Sequence, residues 1–247
     1  MIRLIALKEL RSLFAAPSTW LMLGALQFIF AWFFLARLDA FPQVQAQLAQ
    51  LANAPGATQA VAAPLFNVMA LVLMMLTPIF TMRLLAAERR NQTLALLMTA
   101  PISAAQIVLG KFLGLLLFLL AIIAGCTAML LTLAVGTQLD TGLILGNALG
   151  LLLLAASYAA LGLYLSAVTT QPMVAAIGAM AALFGLWLVE INAADSGSAW
   201  QMIAPTSHFQ NFNVGLLNSA DAVYFLLFSL VFLLLTIRRV DNNRVYG

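Results

Sequence analysis

Side chains able to do chemistry are scarce in this sequence, and their positions decide which chemistry is open to it. There is one cysteine, Cys126, inside an apolar run, and one histidine, His208, in a polar stretch near the end. Alone they cannot build a typical zinc site, and a single cysteine excludes an internal disulfide. His208 reads as a local hydrogen-bonding or capping residue rather than a ligand or proton carrier, and Cys126 as lipid-facing or packed, and inert. The Gly110-Lys111 pair is followed by Phe112, and Ala105 stands five residues upstream of Gly110. The phosphate-cradling loop and magnesium-binding hydroxyl of an ATPase are therefore missing, which excludes ATP hydrolysis by this chain. No ionisable residue falls near the middle of an apolar run, which argues against an ion-coupled carrier or proton relay.

What remains is a charged step, Glu88-Arg89-Arg90, between two long apolar segments. Those charges cannot sit cheaply in hydrocarbon, so they mark a return to water. The residues that follow, within AAERRNQTLALLMTAPIS (86–103), predict a stub helix. Asn91 or Thr93 caps it and Pro101 stops it after about two turns. Residues 92–99 would measure only about 12 Å, too short to span anything. Leu94, Leu97 and Met98 fall on one side of it, an apolar stripe beside charge that asks for a partner surface; we read that partner as a protein.

The elements that position this step are membrane spans. Of 247 residues 64% are hydrophobic and 8% charged, and the mean hydropathy is +1.05. That composition is an all-α integral membrane protein, since each span needs about 20 apolar residues. The expectation is a single transmembrane domain over 1–247, with a basic interface helix at 1–16 and spans at about 19–36, 64–85, 105–135, 142–168, 173–189 and 222–237. Arg3, Lys8 and Arg11 look like the head of a signal peptide, but the apolar stretch after them is too long for one, so it is kept as span one. QVQAQLAQLANA (43–54) predicts a small extramembrane helix. Thr77-Pro78 inside span two marks a kink or a flex point beside a pathway. Span three exceeds the bilayer, so its first turns around Lys111 are expected to project into the cytoplasm or tilt. Gly110 and Gly114, and Gly142, Gly146 and Gly150, recur at intervals of four, a spacing that lets helices approach closely. Residues 190–221 predict short interfacial or re-entrant helices before span six.

Six spans put both termini on one side. Taking that side as cytoplasmic places every basic residue there except Arg37, while Asp39, Asp140, Glu190, Asp195 and Asp221 face out. The stub helix is then cytoplasmic. The basic residues are scattered at span ends, which is no nucleic-acid footprint.

This layout, with MRLLAAERRNQTLALLMTAPISAAQIVLGKF, a basic start and the late stretch PTSHFQNFNVGLLNSADAVYFLLF, resembles the permease subunits of type-2 ABC exporters, those of the gliding-motility and multidrug-export kind. The resemblance covers nearly the whole chain. It implies a multi-pass protein of the cell inner membrane, with both termini cytoplasmic. It also implies a dimer of this chain, or a pair with a related permease, working with separate ATP-binding subunits that carry the ATP and magnesium; this chain then needs no cofactor. Segment 86–103 would be the coupling helix. Glu88, Arg89, Thr93, Leu94, Leu97, Thr99 and Pro101 match the family's pattern, with Arg90 and Met98 beside them, while Gln92 stands where glycine is common and Ala95 where glutamate is common. Arg3, Lys8 and Arg11 would contact either anionic lipid or the ATPase. Spans two and five, with the Thr77-Pro78 flex point, would line the route. Two other readings stay open from the residues alone: an ATP-independent channel or secondary carrier, and a membrane scaffold for envelope or motility machinery.

Overall fold

The computed structural model describes residues 1–48, 57–92, 102–135, 140–194, 204–216 and 218–246. Among them the chain is all-helical, with no strand. The elements are α1 (Ile2–Ala15), α2 (Pro17–Leu48), α3 (Ala57–Leu84), α4 (Ala86–Arg90) and α5 (Ala104–Leu130), which runs into a 3-10 turn (Leu131–Val135). They continue with α6 (Thr141–Val168), α7 (Pro172–Ala194), α8 (Pro205–Asn213) and α9 (Ser219–Tyr246). Among the described residues six helices are long and apolar enough to cross a membrane: Pro17–Pro42, Thr58–Arg90, Ala104–Leu133, Thr141–Val168, Pro172–Asn192 and Ser219–Asn242.

Helix α6 is the centre of the bundle, packed by α3, α5, α7, α8 and α9. Its composition explains why. Leu151, Leu154, Ala155, Ala159, Ala160 and Leu163 are fully buried, and the small residues among them let neighbouring backbones close in. At Gly162 a Cβ would collide with the Thr81 side chain of α3, and at Gly150 with Phe212 of α8 at 2.7 Å. Helices α2, α7 and α9 lie at the outside and leave Trp20, Phe28, Trp32, Ile177, Leu226 and Leu227 exposed. Apolar faces of that extent need lipid or another helix over them.

Local chemistry sets the helix starts. Ser103 Oγ accepts from the Gln106 N–H at 3.3 Å while Gln106 Oε1 accepts from the Ser103 N–H, a capping box that opens α5. Asp140 caps α6 by accepting from Leu143 N–H at 3.1 Å, and its own N–H donates to Thr58 Oγ1 at 3.2 Å, tying the starts of α3 and α6. Trp20 Nε1 donates to the Phe14 carbonyl at 2.7 Å and pins the α1–α2 corner.

Several helix boundaries differ from the sequence reading: α7 and α9 run on to Ala194 and Tyr246, past the expected span ends, and the first two spans differ as well. Helix α2 does not stop near residue 36; it runs through Arg37, Asp39 and Pro42 to Leu48. Charge interrupts an apolar pattern without interrupting i to i−4 hydrogen bonding, and one proline removes a single bond of that ladder. The expected separate helix at 43–54 is thus, as far as residue 48, a continuation of α2, and its remainder lies outside the described residues. Helix α3 likewise begins at Ala57, a full turn or more before the expected apolar start at Pro64.

Candidate coupling site

Helix α3 ends at Leu84, and the chain turns at Leu85 (φ −122°, ψ −44°) into the single turn of α4. The side chain holding this corner comes from α6. Ser166 Oγ accepts from the backbone N–H of Leu85 at 3.3 Å and of Ala86 at 3.0 Å, and donates to the Met82 carbonyl at 3.3 Å. One buried hydroxyl therefore satisfies three backbone groups where the helix breaks. One turn on, Arg89 Nη1 donates to the Ala167 carbonyl at 2.7 Å. The corner is stapled twice to the end of α6.

Glu88 points the other way, toward α5. Its Oε1 lies 2.7 Å from Lys111 Nζ, and the same ammonium lies 2.8 Å from Glu9 Oε1 of α1. Lys111 is 1% exposed, against 13% and 17% for the two carboxylates. An ammonium so fully withdrawn from water is tolerable only with partners, and here it has two, from opposite sides. Lys111 itself is thus withdrawn from solvent at the start of α5. Glycine makes room for this arrangement: a Cβ at Gly110 would meet Ile5 Cβ at 2.7 Å, and one at Gly114 would meet Glu9 Cβ at 2.8 Å and the Ala6 carbonyl oxygen at 2.9 Å. The four-residue glycine spacing on α5 therefore seats α1, with Ala6 buried in the contact.

Of the residues expected to couple, Glu88 and Arg89 are half-buried and spent on Lys111 and Ala167, while Arg90 is exposed. Arg90 and Gln92 line a groove of about 710 Å³ with Arg89, Thr170 and Gln171. Gln92 has φ 58°, a left-handed turn that ends α4 by redirecting the chain; glycine, common there in the resembling exporters, would adopt it without strain. Thr93, Leu94, Leu97, Met98, Thr99 and Pro101 lie outside the described residues, so the stub helix itself does too. Arg3, Lys8 and Arg11 are all exposed on α1. Lys8 and Arg83 rim a second cleft, of about 370 Å³, between α1, α2 and α3, with Glu9, Ser12 and Glu88 on its walls. Thr77 and Pro78 are buried, Thr77 Oγ1 donates to the Leu73 carbonyl at 2.7 Å, and Thr81 Oγ1 donates to the Pro78 carbonyl at 3.1 Å. Helix α3 stays continuous through them.

Sequence reasoning missed Ser166 and the Glu9–Lys111–Glu88 triad. A lone hydroxyl near a span end and a lysine at a span start were the available signals, and neither names its partner.

At the other end of the bundle His208 Nδ1 lies 2.5 Å from Asp221 Oδ1, Asn211 Nδ2 donates to Asp221 Oδ2 at 2.9 Å, and the imidazole stacks on Tyr224 at 4.0 Å. The histidine has a structural partner, joining α8 to α9. Cys126 is fully buried.

No curated protein matches the chain. A sequence-family model described as ABC-2 family transporter protein matches residues 3–243, from α1 through most of α9. The chain, with its six apolar helices and its charged corner after the second of them, belongs to the ABC-2 family of transporter proteins.

Proposed function

We propose that this chain is the membrane permease subunit of an ATP-driven exporter of the inner membrane, working as a dimer with separate ATP-binding subunits and driven through residues 86–103. Family membership makes it a transporter permease with an ATP-binding partner in general; the export direction, the dimer and the lever are the further steps of the reading.

The observation that carries the lever is the bonding around α4. Through Glu88 it is tied to α5 and α1, and through Arg89 and the Ser166 corner to α6. A push delivered to the segment after Arg90 is passed to α1, α5 and α6 together, because each tie is a charged or buried hydrogen bond that resists stretching. Closure of the ATP-binding subunits supplies that push, and the bundle answers by rocking between inward and outward openings. Arg90, Gln92 and the groove beside Thr170 and Gln171 form the exposed face that meets the partner. Both termini lie with this face on the cytoplasmic side, consistent with the excess of basic residues at that end.

Native membranes solubilised gently and purified through a tag on this chain test the reading. The expected co-purified protein is a subunit carrying a phosphate-binding loop, and ATP-driven transport is lost in the Arg89→Glu, Leu97→Asp double variant. Absence of any ATPase, or transport undiminished in that variant, contradicts it.

A further inference from the structure

At the end of the bundle far from Lys111, helices α3, α6, α7 and α8 enclose a cavity of about 150 Å³. Asn67 on its rim is 17 residues before Leu84 on α3, roughly 25 Å at the helical rise. The wall combines Glu190 and Trp187 of α7, Tyr158 of α6, and Thr206, Phe209 and Gln210 of α8. Trp187 and Glu190, three residues apart, share one face of their helix. Gln210 Nε2 donates to Asn67 Oδ1 at 3.0 Å and links α8 to α3 across the rim.

Two features separate this cavity from an ordinary packing gap. Tyr158 is 1% exposed, and its phenolic oxygen has no hydrogen-bond partner among the described residues. Leaving a buried hydroxyl unpaired is destabilising, so a site that needed only an aromatic ring would be better served by phenylalanine. Glu190 is the second. Its carboxylate is half-buried, accepts from Thr206 Oγ1, and receives no ion pair among the described residues. The side chain of His208 is paired with Asp221, whose Oδ1 lies 2.5 Å from its Nδ1.

The geometry points to a binding site for a primary ammonium group. Glu190 supplies the opposing charge and Tyr158 a lone pair for one N–H. The aromatic rings of Trp187 and Phe209 also line the cavity and add π surface of the kind that attracts a cation. The cavity is smaller than the roughly 300–1,000 Å³ that holds a drug-sized molecule, so it takes an ammonium with a short alkyl stem. Exposed Leu71, also lining it, gives an apolar track along α3 for whatever follows that stem. The bearer is a free alkylamine or the headgroup of an aminophospholipid. That this ammonium is cargo rests on the permease reading; that it binds does not.

The test is calorimetric titration of the purified full-length protein, in phosphatidylcholine nanodiscs and without any ATPase, using butylammonium against butanol and butyrate. Saturable binding is expected for butylammonium alone. Glu190→Gln should weaken it about tenfold or more, and Tyr158→Phe about threefold, each with an unfolding midpoint close to the parent's. Equal binding of butanol overturns the proposal, as does unchanged affinity in both variants. A weaker apparent affinity in phosphatidylethanolamine discs than in phosphatidylcholine discs identifies the lipid headgroup as the occupant, and equal affinity identifies the free amine. Because no ATPase is present, a failed titration leaves the permease reading intact, and a failed ATPase co-purification leaves the titration intact.

Discussion

Lys111 Nζ lies 2.7 Å from Glu88 Oε1, so a residue at the start of the third long helix is bonded to the short turn that follows the second. With Glu9 at 2.8 Å on its other side, the same ammonium also holds α1. One ammonium thus joins three segments that share no backbone continuity at this point.

Removing the cation alone is therefore the harshest change to the triad. In Lys111→Met two carboxylates face each other across a site with no positive charge, a loss of about 3 kcal/mol, reduced by the water that reaches both acids. Adding Glu9→Gln and Glu88→Gln removes the repulsion and recovers most of it. Thermal unfolding of the single and triple variants in detergent reads both steps. An unfolding midpoint for Lys111→Met equal to the parent's contradicts the triad's structural role.

Gly114→Val places carbon where the structure leaves 2.8 Å to Glu9 Cβ and 2.9 Å to the Ala6 carbonyl oxygen. Backbone cannot yield as a side-chain tip can, so α1 must lift from α5 at about 1–3 kcal/mol. Limited trypsin digestion follows this directly, with faster cleavage at Lys8 and Arg11 expected. Gly185→Val, at a position with open space around it, should leave the digestion rate as it was.

Much of this was readable beforehand, for one reason: the apolar runs of the spans are local in sequence. The charged step at Glu88, Arg89 and Arg90 is equally local, and so is the glycine spacing of α5. What the chain could not disclose is which side chains meet. Glu9 and Glu88 stand 102 and 23 residues from Lys111, and nothing about a lysine beside Phe112 predicts that both arrive. Ser166 is hidden in the same way, since its three partners come from the α3–α4 corner about 80 residues earlier in the chain. The over-early end assigned to the first span has a different cause. Arg37 and Asp39 lower the hydropathy, which is a property of the solvent boundary, while helix continuity depends on backbone hydrogen bonds that they leave alone.

Ser166→Ala strips the acceptor from the Leu85 and Ala86 N–H groups, which are buried. An unsatisfied buried donor costs about 1–3 kcal/mol, but the change falls where α3 meets α4 and so also loosens the lever. Hydrogen exchange should accelerate at Leu85 and Ala86 more than in the middle of α6. ATP-driven transport should fall while the ATPase still co-purifies. Loss of co-purification instead would assign Ser166 to assembly.

His208→Phe retains a ring to stack on Tyr224 but withdraws the partner of Asp221, a side chain that is 5% exposed. Among the described residues Asn211 is then left to bond that carboxylate, and the α8–α9 join weakens by about 1–3 kcal/mol. Faster exchange across 205–213 is the expected readout. Adding Asp221→Asn to His208→Phe, which removes the stranded charge, should restore part of the protection.

The account's central claim is that an ATP-binding subunit seats on the face presented beyond α4. A photo-crosslinking amino acid at Arg90, which is exposed in this chain, tests it most directly in native membranes. The predicted adduct is this chain joined to a subunit bearing a phosphate-binding loop, formed from position 90 and absent from position 145, where Leu145 is exposed near the start of α6. An ATPase adduct from position 145 with none from position 90, or no ATPase adduct from either, contradicts it.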